Sequence, residues 1–196
     1  MTKTRLEAFS DGVIAILITI MVLEFKTPAG HDWPAMRFLV PKFSAYILSF
    51  IFLGIYWNNH HHLFHLTTRV TGSIMWANLY LLFWLSLVPF ATAWMGEAHV
   101  AAVPTAVYGI ILLNAAIAFT ILVRAIITSQ GPHSPLKAAI GDDRKGWLSI
   151  TLYAVAIPIA FVQAWISAAL YVTVALIWLI PDRRIEKHLH EQSTRR

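Results

Sequence analysis

The sequence predicts an all-α integral membrane protein with six transmembrane helices per subunit. Of its 196 residues, 58% are hydrophobic and only 13% are charged, whereas soluble domains carry about a quarter charged residues. The mean hydropathy is +0.63, and apolar runs long enough to cross a bilayer follow one another along the chain. The chain has no cysteine, which excludes disulfides, thiolate catalysis and cysteine-ligated metals.

The first four spans are predicted from the lengths of the apolar runs. A membrane-spanning helix needs about 17–25 consecutive, mostly apolar residues, and four separate runs meet this requirement. They cover residues 9–25, 43–66, 73–95 and 101–128.

The remaining apolar stretch, residues 147–180, is too long for one span and is predicted to form two. A tight turn between them is expected at Gln163–Ala164. Pro158 lies inside the fifth span, where neighbouring helices allow a proline kink. The six spans make residues 1–180 a single transmembrane domain, and residues 181–196 form a polar tail.

The basic residues indicate how these spans are oriented. With the N-terminus inside, 12 of the 15 Lys and Arg residues fall on inside segments, an excess that is typical of cytoplasmic loops. Both termini are therefore predicted to be cytoplasmic. The charge is spread over every inside loop and forms no single patch, which argues against nucleic-acid binding. The inside set is Lys3, Arg5, Arg69, Arg124, Lys137, Arg144, Lys145, Arg183, Arg184, Lys187, Arg195 and Arg196.

The first span is predicted not to be a cleavable signal peptide. Glu7 and Asp11 lie where a signal peptide is positively charged, and no small-residue cleavage pattern follows the apolar run. At about 100° per residue, Ile16, Thr19 and Leu23 form one stripe along the helix. From this spacing alone, the Thr19 hydroxyl is expected to bond to a carbonyl of its own helix.

Asp11 lies five residues before Ile16 and therefore points roughly 140° away from the stripe. A charged Asp deep in a span costs about 2.5–3.5 kcal/mol on insertion scales, and less near a helix end. If the helix begins close to it, Ser10 or Asp11 is an N-cap. If the helix begins near Thr4, Asp11 is interior, and its expected partners are Arg5 and the polar end of the second span.

That polar end, residues 56–66, contains four His and two Asn. His61 and His65 lie one helical turn apart. Three interpretations are open: a metal or haem site, a pH sensor, or a hydrogen-bonded belt joined to the start of the first span. The stretch contains no carboxylate or cysteine, and the sequence has no H-E-x-x-H pattern, which favours the belt.

The sequence does not favour an enzyme or an ion-coupled transporter. It has no G-x-S-x-G, no phosphate-binding loop and no pair of carboxylates apart from Asp142–Asp143. The third to sixth spans have no charged residue at mid-membrane, where a pump or antiporter usually carries one.

Two motifs carry a resemblance to a known family. The pattern R-x-x-x-F-S-D opens the first span, with Arg5, Phe9, Ser10 and Asp11. The pattern W-x-x-H-H-x-x-F follows in the second span, with Trp57, His60, His61 and Phe64. With these motifs the sequence resembles the transmembrane protein 175 family of potassium channels.

The resemblance implies a passive, potassium-permeable channel that forms a homotetramer in a bacterial plasma membrane, without a T-V-G-Y-G filter, cofactor or metal. The first helix of each subunit would line the pore. Ile16 and Leu23 would form an aliphatic constriction that gates by dewetting, and Thr19 would contribute to selectivity. K⁺ is expected to permeate, with Rb⁺ and Cs⁺, and Na⁺ more weakly. The residues of the two motifs would hold the pore helix in place.

Two alternatives belong to other functional classes. The first is a non-conducting membrane subunit that binds a metal or haem through the His cluster of the second span. The second is a cation or proton transporter.

Overall fold

The computed structural model describes residues 2–28, 30–31, 33–37, 39–131, 134–141 and 143–179. All regular secondary structure within these ranges is helical, which confirms the predicted helical class. The polar tail predicted at residues 181–196 lies outside them.

Eight helices occur within the described ranges. Five helical segments, one of them the interrupted segment Gly72–Glu97, are long and apolar enough to cross a membrane. The helices are α1 (Lys3–Leu23), α2 (Trp33–Arg37), α3 (Val40–His65), α4 (Gly72–Ser86), α5 (Val88–Glu97), α6 (Ala102–Gln130), α7 (Pro135–Ile140) and α8 (Arg144–Leu179).

α8 is 36 residues long and is interrupted once. Gln163 has non-helical backbone angles (φ −153°, ψ 97°), so the interruption lies where the sequence predicts a turn. The helix continues through Pro158, because a proline inside a membrane helix removes only one hydrogen bond and neighbouring helices can compensate.

The two halves of α8 run antiparallel, as contacts across the interruption show. The Ser167 hydroxyl donates to the Ala156 carbonyl at 2.7 Å. The Trp178 Nε1 donates to the Ser149 hydroxyl at 2.8 Å. A continuous helix would place Ser149 and Trp178 about 40 Å apart, so the chain reverses direction near Gln163.

α6 is the central helix of the subunit and packs against α4, α5 and α8. Small residues such as Ala115 and Ala118 are fully buried along it. At its contact with α8, the Tyr171 hydroxyl donates to the Thr105 carbonyl at 3.1 Å. A Cβ on Gly109 would overlap that hydroxyl, so the close approach of the two helices requires glycine at this position.

α1 begins before the apolar run of the first span. Thr2 is its N-cap, and the Thr2 Oγ1 accepts a hydrogen bond from the Arg5 amide at 3.4 Å. The polar residues that follow are good helix formers, so the helix extends through them from Lys3. The interpretation of Ser10 or Asp11 as the N-cap is therefore wrong, and both residues are interior.

One face of α1 packs against α3, α4 and α5. Its buried residues recur every three or four positions, as expected for a single helical face. They are Leu6, Ser10, Ile14, Leu17 and Met21.

Candidate functional site

The opposite face of α1 is turned away from the rest of the subunit. Ile16 is 57% exposed and Leu23 is 79% exposed, and Thr19 between them is also exposed. Phe9 continues the same exposed side toward the N-terminus. The residues of the predicted stripe therefore form one continuous surface of the subunit.

The Thr19 hydroxyl bonds to its own helix. It lies 2.9 Å from the Ile16 carbonyl oxygen and 3.2 Å from the Ala15 carbonyl oxygen, and its single hydrogen is shared between them. This is the arrangement expected from the spacing. Because the hydrogen is used within the helix, the oxygen can offer only lone pairs to the outside. Thr19 can therefore act as a neutral acceptor or cation ligand on this surface.

Asp11 faces α3. Its Oδ1 accepts a hydrogen bond from the Trp57 Nε1 at 3.0 Å, so the polar end of the second span is its partner. Arg5, the other expected partner, is exposed. Its side chain makes no hydrogen bond or ion pair with Asp11. The Lys3 Nζ adds a second tie between these helices, because it donates to the His65 carbonyl at 3.2 Å.

A buried hydrogen-bonded chain joins α1, α3 and α4. The Asn78 Nδ2 donates to the Ser10 hydroxyl at 2.9 Å, and that hydroxyl donates to the Leu6 carbonyl at 2.9 Å. The Asn78 Oδ1 lies 2.8 Å from the His60 Nε2. Since the amide oxygen can only accept, the His60 Nε2 carries the proton. All three side chains are at most 1% exposed.

Asn78 is the member of this chain that the sequence analysis missed. It lies in an apolar segment of α4. Charged residues are the usual sign of a functional position inside a span, and Asn78 carries no charge. An uncharged amide is also costly inside a membrane unless its hydrogen-bonding groups are satisfied. A single Asn in a long apolar run is therefore the signal that could have identified it.

The motif residues of α3 recur every three or four positions along one side of the helix, but they differ in burial. His60 and Phe64 are buried, with ring centroids 4.5 Å apart. Trp57 and His61 are exposed, with ring centroids 6.5 Å apart. The His60 imidazole is therefore enclosed by the protein, whereas the His61 imidazole lies on its surface. Within the described part of the chain, no group of three His, Asp or Glu residues is placed to hold a metal ion.

Comparison with known proteins relates the whole chain to one family. The family profile described as "Endosomal/lysosomal potassium channel TMEM175" matches residues 5–89. A potassium channel of Chryseobacterium sp. (strain P1-3) is 57% identical over 191 residues, which cover 97% of this chain and 100% of that one. A potassium channel of Streptomyces collinus is 35% identical over 89% of this chain and 90% of its own.

A solved structure extends the relationship to the fold. The crystal structure of a lysosomal potassium-selective channel TMEM175 homologue from Chamaesiphon minutus matches with a TM-score of 0.79 and 31% sequence identity. The match covers 91% of this chain and 96% of that one.

Proposed function

The chain belongs to the TMEM175 family of potassium channels, and we propose that it conducts K⁺ passively across a bacterial plasma membrane. It is a multi-pass membrane protein with several apolar helices. The observation that carries the proposal is the two-sided character of α1. One face is fixed to the subunit by packing and hydrogen bonds, and the other presents Ile16, Thr19 and Leu23 outward.

The proposed pore is formed by four copies of α1 around a common axis. Ile16 and Leu23 from four subunits would make rings of aliphatic side chains, and a narrow apolar passage can close to ions by losing its water. No charge lies on the stripe, so the passage would neither trap nor exclude a cation by a fixed charge.

Thr19 is the proposed ion contact. Four Thr19 oxygens would form a ring of neutral ligands, each with its hydrogen already bonded to the helix. Such oxygens replace part of the hydration shell of a cation without binding it tightly. K⁺, Rb⁺ and Cs⁺ give up their water more readily than Na⁺, so Na⁺ is expected to permeate more weakly.

The proposed topology has six spans with both termini in the cytoplasm. A straight 36-residue helix would be about 54 Å long, well beyond the ~30 Å hydrocarbon core. The antiparallel halves of α8, residues 144–162 and 164–179, match the fifth and sixth spans instead. The tail at residues 181–196 would then be cytoplasmic, with the basic residues of the inside loops.

The motif residues are proposed to position the pore helix. Ser10 accepts a hydrogen bond from Asn78, and Asp11 accepts one from Trp57, on two different sides of α1. Two directional contacts on different sides fix the rotation of a helix about its own axis. This rotation decides whether Ile16, Thr19 and Leu23 face the fourfold axis.

Potassium flux in liposomes tests the proposal. Purified protein reconstituted with a K⁺ gradient is expected to release K⁺ without added energy, and protein-free liposomes provide the baseline. Liposomes that contain monodisperse, helical protein and still retain K⁺ would show that the protein does not conduct.

A further inference from the structure

A cavity of about 40 Å³ lies between α3, α6 and α8 and is open on one side. Its lining contains no residue of α1, so it is separate from the stripe proposed to contact ions. Tyr56 and Asn59 line it from α3, whereas Trp57 of the same helix bonds to Asp11 of α1. α3 therefore stands between the cavity and α1.

Five of the twelve residues that line the cavity are aromatic. The Phe52 and Tyr153 rings meet edge to face at 6.3 Å, and the Tyr56 and Phe119 rings meet in the same way at 6.1 Å. The faces of aromatic rings carry negative potential and attract cations. Trp178 completes the wall, and the Lys145 Nζ lies 6.0 Å from the centre of its ring.

A carboxylate also lines the cavity. The Asp143 Oδ1 accepts a hydrogen bond from the Gly146 amide at 2.9 Å at the start of α8. A Cβ on Gly146 would overlap this carboxylate, so the glycine makes room for it. The Asp143 Oδ2 has no hydrogen bond or ion pair within the described residues, and its lone pairs are available to a donor.

Two tyrosine hydroxyls at this site make no hydrogen bond with the part of the chain that the structure describes. Tyr153 is only 2% exposed and lines the cavity, yet its hydroxyl makes no hydrogen bond with any described residue. The half-buried Tyr56 is in the same situation. Buried polar groups are normally hydrogen-bonded, so these hydroxyls call for a polar group inside the cavity.

We propose that the cavity binds the ammonium end of an alkylamine. The carboxylate of Asp143 supplies the counter-charge, the tyrosine hydroxyls accept N–H hydrogens, and the aromatic walls surround the adjoining methylene groups. A volume of about 40 Å³ holds about three non-hydrogen atoms, which is the size of a nitrogen and two carbons. The rest of the ligand leaves through the open side. The same chemistry occurs in a free amine and in the headgroup of an ethanolamine lipid.

Calorimetric titration of the full chain in neutral detergent with butylammonium chloride tests the site. Saturable binding is expected, and 1-butanol, which has the same chain without the charge, is expected not to bind. Asp143→Asn keeps a residue that caps helices well and removes the charge, so affinity should fall about tenfold or more. Tyr153→Phe removes a hydroxyl that makes no hydrogen bond with the described residues and should weaken binding about threefold without lowering stability.

Two charge controls complete the titration. Glu97→Gln makes the same charge change near the other end of α3, where Glu97 pairs with Lys42, and should leave affinity unchanged. Lys145→Gln removes a cation near the wall and should strengthen binding. The absence of saturable binding, or equal affinity in wild type and Asp143→Asn, would overturn the proposal. An anion site would also overturn it and would reverse the effects of Asp143→Asn and Lys145→Gln.

Native mass spectrometry of protein in mixed phosphatidylethanolamine and phosphatidylglycerol micelles distinguishes the two sources. Selective retention of the ethanolamine lipid, lost in Asp143→Asn, assigns the site to the membrane lipid. Equal retention of both lipids, together with butylammonium binding, assigns it to a soluble amine. Neither measurement depends on ion flux, so the amine site and the proposed channel function are tested independently.

Discussion

Thr19 and Ser10 are both hydroxyl residues of α1, yet their oxygen atoms have different surroundings. Ser10 donates to the Leu6 carbonyl and accepts from Asn78 in the interior, so both of its hydrogen-bonding roles are used. Thr19 uses only its hydrogen and keeps its acceptor capacity on the exposed face. The sequence predicts the exposed stripe because helical spacing alone groups its members. It cannot predict the partner of Ser10, because that depends on how α4 packs.

Thr19→Val tests the role of the free acceptor. Valine has nearly the same shape without the oxygen, so we expect the K⁺ to Na⁺ permeability ratio to change several-fold while the fold is kept. The ratio is measured from reversal potentials under bi-ionic conditions. Thr19→Ser keeps the oxygen and should retain most of the wild-type ratio. An unchanged ratio in Thr19→Val would remove Thr19 from the ion pathway.

Asn78→Ala removes only a few atoms but should destabilise the protein strongly. It leaves Ser10 without a donor and the His60 N–H without an acceptor, and each unsatisfied buried group costs about 1–3 kcal/mol. We expect a clear fall in melting temperature by size-exclusion analysis of heated samples. Asn114→Ala is the matched control, because within the described ranges the Asn114 amide bonds only to the Ile110 carbonyl of its own helix. Equal losses in the two variants would contradict the bridging role.

At the scale of elements, side-chain hydrogen bonds join the N-terminal half of α1 to the C-terminal end of α3. A double-mutant cycle with Asp11→Ala and Trp57→Phe isolates the tie made by the carboxylate and the indole. We expect a coupling of about 1 kcal/mol in the free energy of unfolding, since hydrogen bonds to charged groups reach about 1.5–3 kcal/mol and this pair is partly exposed. A parallel cycle with Glu7→Ala and Trp57→Phe should show no coupling. Additivity in the first cycle would rule out the tie.

The α6–α8 contact depends on one glycine. Gly109→Ala places a methyl group against the Tyr171 hydroxyl, so the helices must separate, and such overpacking costs about 1–3 kcal/mol. Thermal stability is expected to fall, and Tyr171→Phe should recover part of the loss by removing the overlapping oxygen. Gly54→Ala is the control, because no atom lies within 4 Å of its Cβ position. A loss in Gly54→Ala as large as in Gly109→Ala would show that helical glycine is needed generally.

Helices that arise from long apolar runs could be predicted from the sequence, whereas features that arise from local capping could not. The apolar runs predict the long helices because a segment inside the bilayer must satisfy its backbone hydrogen bonds within itself, and a helix does so. The start of α1 stayed open between Thr4 and the region of Ser10 and Asp11, because Thr2 caps a polar first turn that hydropathy does not detect. The interruption at Gln163 was predicted from length, since one helix of that extent cannot fit a bilayer. The capping of α8 by Asp143, made possible by Gly146, depends on a local geometry that hydropathy does not register.

At the scale of the whole molecule, the exposed face of α1 is the surface through which the proposed assembly forms. It would meet the same face of other copies, so the protein–detergent complex should contain protein of four times the 22.1 kDa subunit mass. Light scattering combined with absorbance and refractive index measures the protein component alone. A monomer or dimer that still conducts K⁺ would show that conduction does not require a tetramer.

The polar ties of α1 are concentrated in its first half. The bonds of Lys3, Ser10 and Asp11 hold that half in direction and rotation, whereas beyond Asp11 the buried contacts are apolar and allow sliding. α1 is therefore built like a cantilever, clamped at its N-terminal end. Leu23 lies about 18 Å from Asp11 along the axis and would swing through a wider arc than Ile16. In the proposed pore, the ring farthest from the clamp would vary most in diameter.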